Sequence, residues 1–236
     1  MKMFKTPTKK WLAGICAVCV SSLLFTSCLK SGKDTINVTP VSYLAVSQAS
    51  VDAPATSFYL DGNLVNSTPF SYGSTLGYVT AYSGLRTATL KDATGATIAT
   101  DTATLSANNA YSLFIANTIA HPDYIKLKDT LNIPAAGTAT IRFVNVSPDA
   151  GAVDLAVTGG PALVANKAYK GFSSFAPVPG DKAYNFEVRQ AGTATVLATL
   201  ANYQLNTGSV YTVWLHGSAA DVTTTKLKLE VFNNAK

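Results

Sequence analysis

Shifted by about one hundred residues, the chain lies over itself, and this internal repeat narrows the choice of folds more than any other feature. Ser50–Ala55 (SVDAPA) falls on Ser147–Ala152 (SPDAGA), and Phe58–Gly62 (FYLDG) on Leu155–Gly159 (LAVTG). Tyr72 matches Tyr169, Tyr78 matches Phe175, and Gly84 lies near Gly180. Tyr111–Asn117 (YSLFIAN) closes the first copy as Tyr211–Gly217 (YTVWLHG) closes the second. Each copy has roughly 75–80 residues, a size that buries about 60% of its unfolded surface and can hold a marginal core without disulfides.

Within each copy the apolar residues recur with period two, the signature of a strand with one buried face. Val153, Leu155 and Val157 alternate with Asp154 and Ala156. Tyr184, Phe186 and Val188 alternate with Asn185, Glu187 and Arg189. Leu227, Leu229 and Val231 alternate with Lys226, Lys228 and Glu230. Asp61-Gly62, Ser83-Gly84, Thr94-Gly95, Gly159-Gly160-Pro161, Pro179-Gly180-Asp181 and Thr207-Gly208 punctuate the runs as turns. The pattern predicts an all-β chain of two tandem immunoglobulin-like antiparallel β-sandwich domains, each with about six or seven strands. The expected boundaries are 41–117 for the first sandwich, 118–137 for a linker, and 138–236 for the second sandwich with an extra C-terminal strand. Glu187 and Glu230 are expected on solvent-facing strand positions, as is Asp154.

The start of the chain has a different composition. Lys2, Lys5, Lys9 and Lys10 precede an uncharged run from Trp11 to Phe25, too short for the roughly 20 apolar residues of a membrane-spanning helix. A basic start, a short apolar run and small residues at the end describe an exported signal peptide, here residues 1–27. Leu24-Phe25-Thr26-Ser27-Cys28 resembles a bacterial lipobox, with Phe25 in place of the usual leucine, and makes Cys28 the expected lipid attachment site. Two or three acyl chains anchor a protein stably where one does not. Residues 28–40 then form the lipidated cysteine and a polar tether, and Leu29 at the position after the cysteine favours the outer membrane by resemblance to the bacterial sorting rule. The periplasmic and surface faces of that membrane both stay open.

Removal of residues 1–27 from the 236-residue chain takes four of the 18 basic side chains and none of the 13 acidic ones, leaving a balance of +1. That charge offers no basic stripe for nucleic acid. Cys16 and Cys19 leave with the signal and Cys28 is consumed, so thiol chemistry and zinc-thiolate sites are excluded in the mature chain.

The strand and turn Ile141–Leu155 (IRFVNVSPDAGAVDL) resembles the opening of the bacterial domain-of-unknown-function family 4397. Phe175–Gly180 (FAPVPG) and the closing Tyr211-Thr212-Val213 fit the same pattern, while the first copy lacks the arginine and has Val51 in place of the proline. The resemblance implies extracytoplasmic β-sandwich modules, often in tandem on lipoproteins or surface proteins, and implies no catalytic residues.

Other chemistry finds little support. His121 precedes a proline in the expected linker, and His216 ends an apolar strand, so neither has the partners of a general base. Asp149 and Asp154 are the available carboxylate pair for glycoside hydrolysis, but turn capping and a solvent-facing strand position account for them. No metal site and no cofactor is expected. Tyr72 and Tyr78 are expected in the core because they recur in the second copy. Tyr82, replaced there by Pro179, is the candidate for a ligand-binding residue peculiar to the first copy. Asp34-Thr35, Asp101-Thr102 and Asp129-Thr130, each followed by an apolar residue, resemble a short O-glycosylation acceptor, which nominates Thr35, Thr102 and Thr130. The expected protein is a non-enzymatic, lipid-anchored envelope protein whose two modules bind a glycan or another protein. The alternative is a structural spacer or a subunit of an outer-membrane assembly.

Overall fold

The structure, a computed structural model, describes residues 39–234. The expected signal peptide, Cys28, Thr35 and all of the tether except Thr39 and Pro40 lie outside the described residues. Thr39–Lys236 forms one compact unit.

Its first half contains β1 (Val41–Gln48), β2 (Ser57–Leu60), β3 (Asn63–Leu64), β4 (Thr75–Tyr82), β5 (Gly84–Lys91), β6 (Thr97–Leu105), β7 (Ala110–Thr118) and β8 (His121–Asp129). Its second half contains β9 (Thr138–Asn145), β10 (Val153–Val157), β11 (Ala162–Lys167), β12 (Ala176–Pro179), β13 (Lys182–Gln190), β14 (Val196–Leu205), β15 (Val210–His216) and β16 (Lys228–Asn233). The sheets β4-β1-β7-β8 and β3-β2-β5-β6 make the first sandwich. The sheets β12-β9-β15-β16 and β11-β10-β13-β14 repeat that order in the second. One detail recurs in side chains as well: the Tyr111 hydroxyl accepts from the Ser106 N–H and the Tyr211 hydroxyl from the Asn206 N–H, both at 3.1 Å.

Three expectations are corrected. The segment 118–137 holds a nine-residue strand rather than a linker alone, since β8 pairs with β7 from Ala110↔Asp129 to Thr118↔His121. The C-terminal strand β16 is therefore no extra element but the counterpart of β8. Among the described residues each half has eight strands, and each contains one parallel pair, β1 with β7 and β9 with β15. The sequence hides β8 because Pro122 and four charged residues interrupt its apolar alternation, as befits an edge strand.

The two sandwiches stack on each other through the sheets that carry β7 and β15. Leu44, Phe58, Leu90 and Leu113 belong to the first core, and Phe143, Leu155, Phe186 and Val213 to the second. A third apolar cluster joins the halves, with Phe114, Leu127, Val144, Val146 and Trp214 at its centre. The order of layers is thus outer sheet, inner sheet, inner sheet, outer sheet. This explains why β15 is buried at every position and β7 at six in succession: their sheets have protein on both faces. Strands of the outer sheets keep a one-sided pattern, with Ala88 and Leu90 buried on β5 between half-buried or exposed neighbours. Two positions expected to be solvent-facing are buried nonetheless. Glu187 pairs with Arg189, and Asp154 accepts N–H bonds from Asn166 at 2.7 Å and Gly192 at 2.9 Å.

Candidate functional site

The seam between the inner sheets holds a closed polar network. Arg142 of β9 is 2% exposed and forms an ion pair with Asp129 of β8 at 2.7 Å. Its Nε donates to the Thr212 hydroxyl at 3.0 Å and its Nη2 to the Ser112 hydroxyl at 2.8 Å. Ser112 donates onward to Asp129 at 2.8 Å, and Thr212 to Asn234 at 2.6 Å. The Asn234 amide donates to the Tyr78 hydroxyl at 2.9 Å, and that hydroxyl donates to Asp129. Burial lowers the Arg142 pKa, and the adjacent Asp129 charge works against that shift. Burial, with the nearby Asp129 charge, raises the Tyr78 phenol. Buried charges persist when pairing and hydrogen bonding are complete, and here they fasten one sandwich to the other.

Tyr72 and Tyr78 accordingly lie at the seam, not in the first core where the repeat placed them. Tyr72 crosses to the second half and meets the His216 ring edge-on, with centroids 4.9 Å apart. Its counterpart Tyr169 crosses the other way and donates to Asp123 at 2.7 Å. His216 is 1% exposed and stacks on Trp214 at 4.5 Å. Burial, with the charge of Lys228, pushes its pKa down from 6.5 to about 3, so it sits neutral in the seam. Burial raises Tyr72 to about 12, assisted by Asp221 and Glu230.

Tyr82 is 60% exposed at the end of β4. The register β1–β4 sets Val41 opposite Tyr82 and Tyr43 opposite Thr80, so Tyr43 and Tyr82 are diagonal neighbours on one face, within reach of each other. That face belongs to the inner sheet. Along β1, exposure on it falls from 47% at Tyr43 to 1% at Ala45, where the second sandwich begins to cover it. The tyrosines therefore occupy the strip of inner sheet that overhangs its partner. Behind the strip, between the edges of β3 and β4, a cleft of about 310 Å³ is lined by apolar side chains, among them Leu64, Val65 and Val79, and by the polar Asp61, Asn63 and Thr80. Sequence reasoning picked Tyr82 but not its pairing with Tyr43, since only strand register brings the two together.

On the opposite flank of the seam, Phe172, Phe175 and Pro177 face the segment after β8, including Asn132 and Ile133, across a cleft of about 600 Å³. Phe172 is 50% exposed there, while Phe175 lies over the Arg142 guanidinium at 4.6 Å.

The remaining candidates are separated from these surfaces or already engaged. Asp149 accepts from Ser147, Ser218, Ala219 and Ala220, the turn-capping role expected of it. Burial pushes its carboxyl up, but those bonds outweigh it and hold the pKa below the usual range. Thr102 is exposed on β6, and Asp101 accepts its N–H at 2.7 Å. Thr130 is exposed after β8, but the Asp129 beside it is committed to Arg142. Among the described residues, no three His, Cys, Asp or Glu side chains converge as a metal site would require.

Fold and surface together define a tandem β-sandwich module with aromatic overhangs. A family model described as "Domain of unknown function (DUF4397)" matches residues 42–156, and this stretch belongs to that family. The matched stretch runs from β1 through the whole first sandwich into β10, so it includes the Ile141–Leu155 segment that carried the resemblance. No curated protein matches the chain. Among solved structures, a match is the crystal structure of CBMbc (family CBM26) from Eubacterium rectale Amy13K in complex with maltoheptaose. It is 12% identical, covers 82% of this chain and 98% of its own, and has a TM-score of 0.27. The architecture described above rests on this chain's own strand pairing.

Proposed function

We propose that the protein is a non-enzymatic, lipid-anchored component of the bacterial outer membrane that binds a glycan or another protein through the overhanging strip of its first sandwich. The observation that carries this reading is the exposed, same-face pair Tyr43 and Tyr82. Tyrosine joins an apolar ring to a polar tip, and such pairs favour surfaces that are buried only on contact. The engaged carboxylates of Asp149 and Asp154 support a binding role over hydrolysis. The anchor is Cys28, and modification of Thr35, Thr102 or Thr130 belongs to the same reading. The test is adhesion of cells carrying the full-length protein with Tyr43→Ala and Tyr82→Ala together. Loss of retention on glycan- or protein-coated surfaces at unchanged surface level is expected, and unchanged retention overturns the role of the strip. Cys28→Ser is expected to move the protein from the membrane to the soluble fraction, and retention in the membrane overturns the anchor.

A second reading, a rigid spacer within an envelope assembly, draws on the seam. Arg142, Asp129 and the third apolar cluster bind the two sandwiches into one compact unit. Cross-linking in whole cells followed by purification is expected to return a stable partner if this reading holds, and to return none if it does not.

A further inference from the structure

Among the described residues, strand β4 has a neighbour on one side only, β1. Its register with β1 shifts between Leu44 and Val46, which leaves Val79–Tyr82 as the regular stretch. The direction of its backbone groups follows from the bonds around it. Tyr43 donates its N–H to Asn109 O on the β7 side, and Ser83 donates to Pro40 O on the β1 side. Backbone groups alternate in direction along a strand. Leu44 therefore bonds toward β4, Val79 and Ala81 bond toward β1, and the N–H and C=O groups of Thr80 and Tyr82 point to the open edge.

Such an edge is a template for another strand unless it is guarded, and the other edges of the inner sheets are guarded. The counterpart of β4 in the second half is β12, which is four residues long and has Pro177 and Pro179 where β4 has Thr80 and Tyr82. Edge strand β8 has Pro122, Lys126 and Lys128, and β16 has Lys228. Outside the inner sheets, edge strand β14 is interrupted by two register shifts, and the cleft beside it carries Lys226 and Lys228. Val79–Tyr82 contains no charge and no proline, and the cleft between β3 and β4, lined by Leu64, Val65 and Val79 together with Asp61 and Asn63, runs beside it.

We propose that the edge of β4 is a docking site for an extended, uncharged peptide segment of a partner protein, which adds a strand to the inner sheet. The peptide's main chain pairs with Thr80 and Tyr82. Its alternate side chains enter the cleft lined by Leu64, Val65 and Val79 on one face and lie against Tyr82 on the other. The edge chemistry selects the occupant, because only a polypeptide presents donors and acceptors at the spacing of a strand. Size argues against a second copy of the chain. Four residues of strand edge expose a strip on the order of 150 Å², against roughly 800 Å² per partner in a stable pair of folded proteins. The inference rests on the display reading above and names the class of partner.

The test uses the full-length protein in detergent and a fluorescein-labelled, end-capped heptapeptide of alternating threonine and valine, followed by anisotropy. Two further peptides carry N-methyl groups on alternate residues, one set on each edge of the strand. Binding of the parent peptide is expected, with one methylated peptide binding and the other failing. Thr80→Pro is expected to weaken binding by about tenfold or more. Pro177 at the matching position shows that the fold accommodates the ring, and Thr80→Lys gives an independent variant with a charge on the edge. Absence of binding, equal binding of both methylated peptides, or indifference to both substitutions overturns the proposal. Self-association of the chain that Thr80→Pro abolishes overturns it in favour of a second copy. Thr80→Pro leaves Tyr43 and Tyr82→Ala aside as a separate test. Lost peptide capture with intact adhesion therefore separates failure of the peptide partner from failure of the display reading.

Discussion

The two sandwiches share a strand order but differ at the positions where they meet. Ala45 of β1 corresponds to Arg142 of β9, Ala116 of β7 to His216 of β15, and Phe114 to Trp214, as the parallel registers show. Asp129 at the end of β8 corresponds to Asn234 after β16. In a symmetric seam between identical copies, residue i of one meets residue j of the other and j meets i, so both sides carry the same polar groups. Here one side carries the cation and the other the anion, and one side carries an imidazole where the other has a methyl group. The difference teaches that the halves have specialised for each other at the charged centre, where Arg142 of one half meets Asp129 and Ser112 of the other, and Asn234 meets Tyr78.

Removing the asymmetry at its charged centre is expected to have the largest effect. Arg142→Ala leaves Asp129 buried without its cation, a change that costs about 3–5 kcal/mol in comparable sites. Adding Asp129→Asn makes the two halves alike at this position and is expected to recover most of the loss. Urea denaturation of both variants measures it, and a double variant as unstable as the single one contradicts the account of the network.

His216 gives the second contrast. Its folded pKa of about 3 lies below the ordinary 6.5, so between these values the unfolded chain binds the proton that the folded chain refuses. Stability contributed by the neutral ring is complete above pH 6.5 and falls as the pH drops toward 3, by at most about 1.4 kcal/mol per pH unit. His216→Phe keeps a ring against Trp214 and Tyr72 and is expected to flatten that slope. Thermal melts at pH 7 and pH 4.5 compare the two, and an unchanged slope removes His216 as the source.

The smallest effect concerns the edges. Thr80→Pro and Tyr82→Pro convert β4 toward β12, at positions whose N–H groups leave no ladder bond unmade. Each is expected to change stability by less than about 1 kcal/mol. A cooperative melt well below that of the parent protein rules out the assigned backbone direction.

The fold class was legible in particular residues. Phe58 and Leu60 alternate with less buried neighbours as in a one-sided strand, and Tyr111 and Tyr211 mark the same corner in both halves. The continuous apolar runs Leu113–Ala116 and Val213–Leu215 are buried on both faces, which the one-sided reading of the strands did not anticipate. Strand β8 was not legible, because its lysines and proline describe an edge as well as they describe a connection. Tyr72 and Tyr78 misled for a related reason. Recurrence in both copies marks a shared role, and a seam between copies produces that mark as readily as a core does.

Composition and local pattern settle what each short segment does alone, because side-chain alternation and turn chemistry act over a few residues. The β-sandwich class, the turns and the candidate Tyr82 all follow from that range of interaction. Which faces meet is a different matter. It depends on register between strands distant in sequence and on the stacking of one sandwich on the other. Those long-range contacts bury Arg142, His216 and Tyr78, leave Tyr43 and Tyr82 side by side in the open, and leave one edge of the inner sheet unguarded.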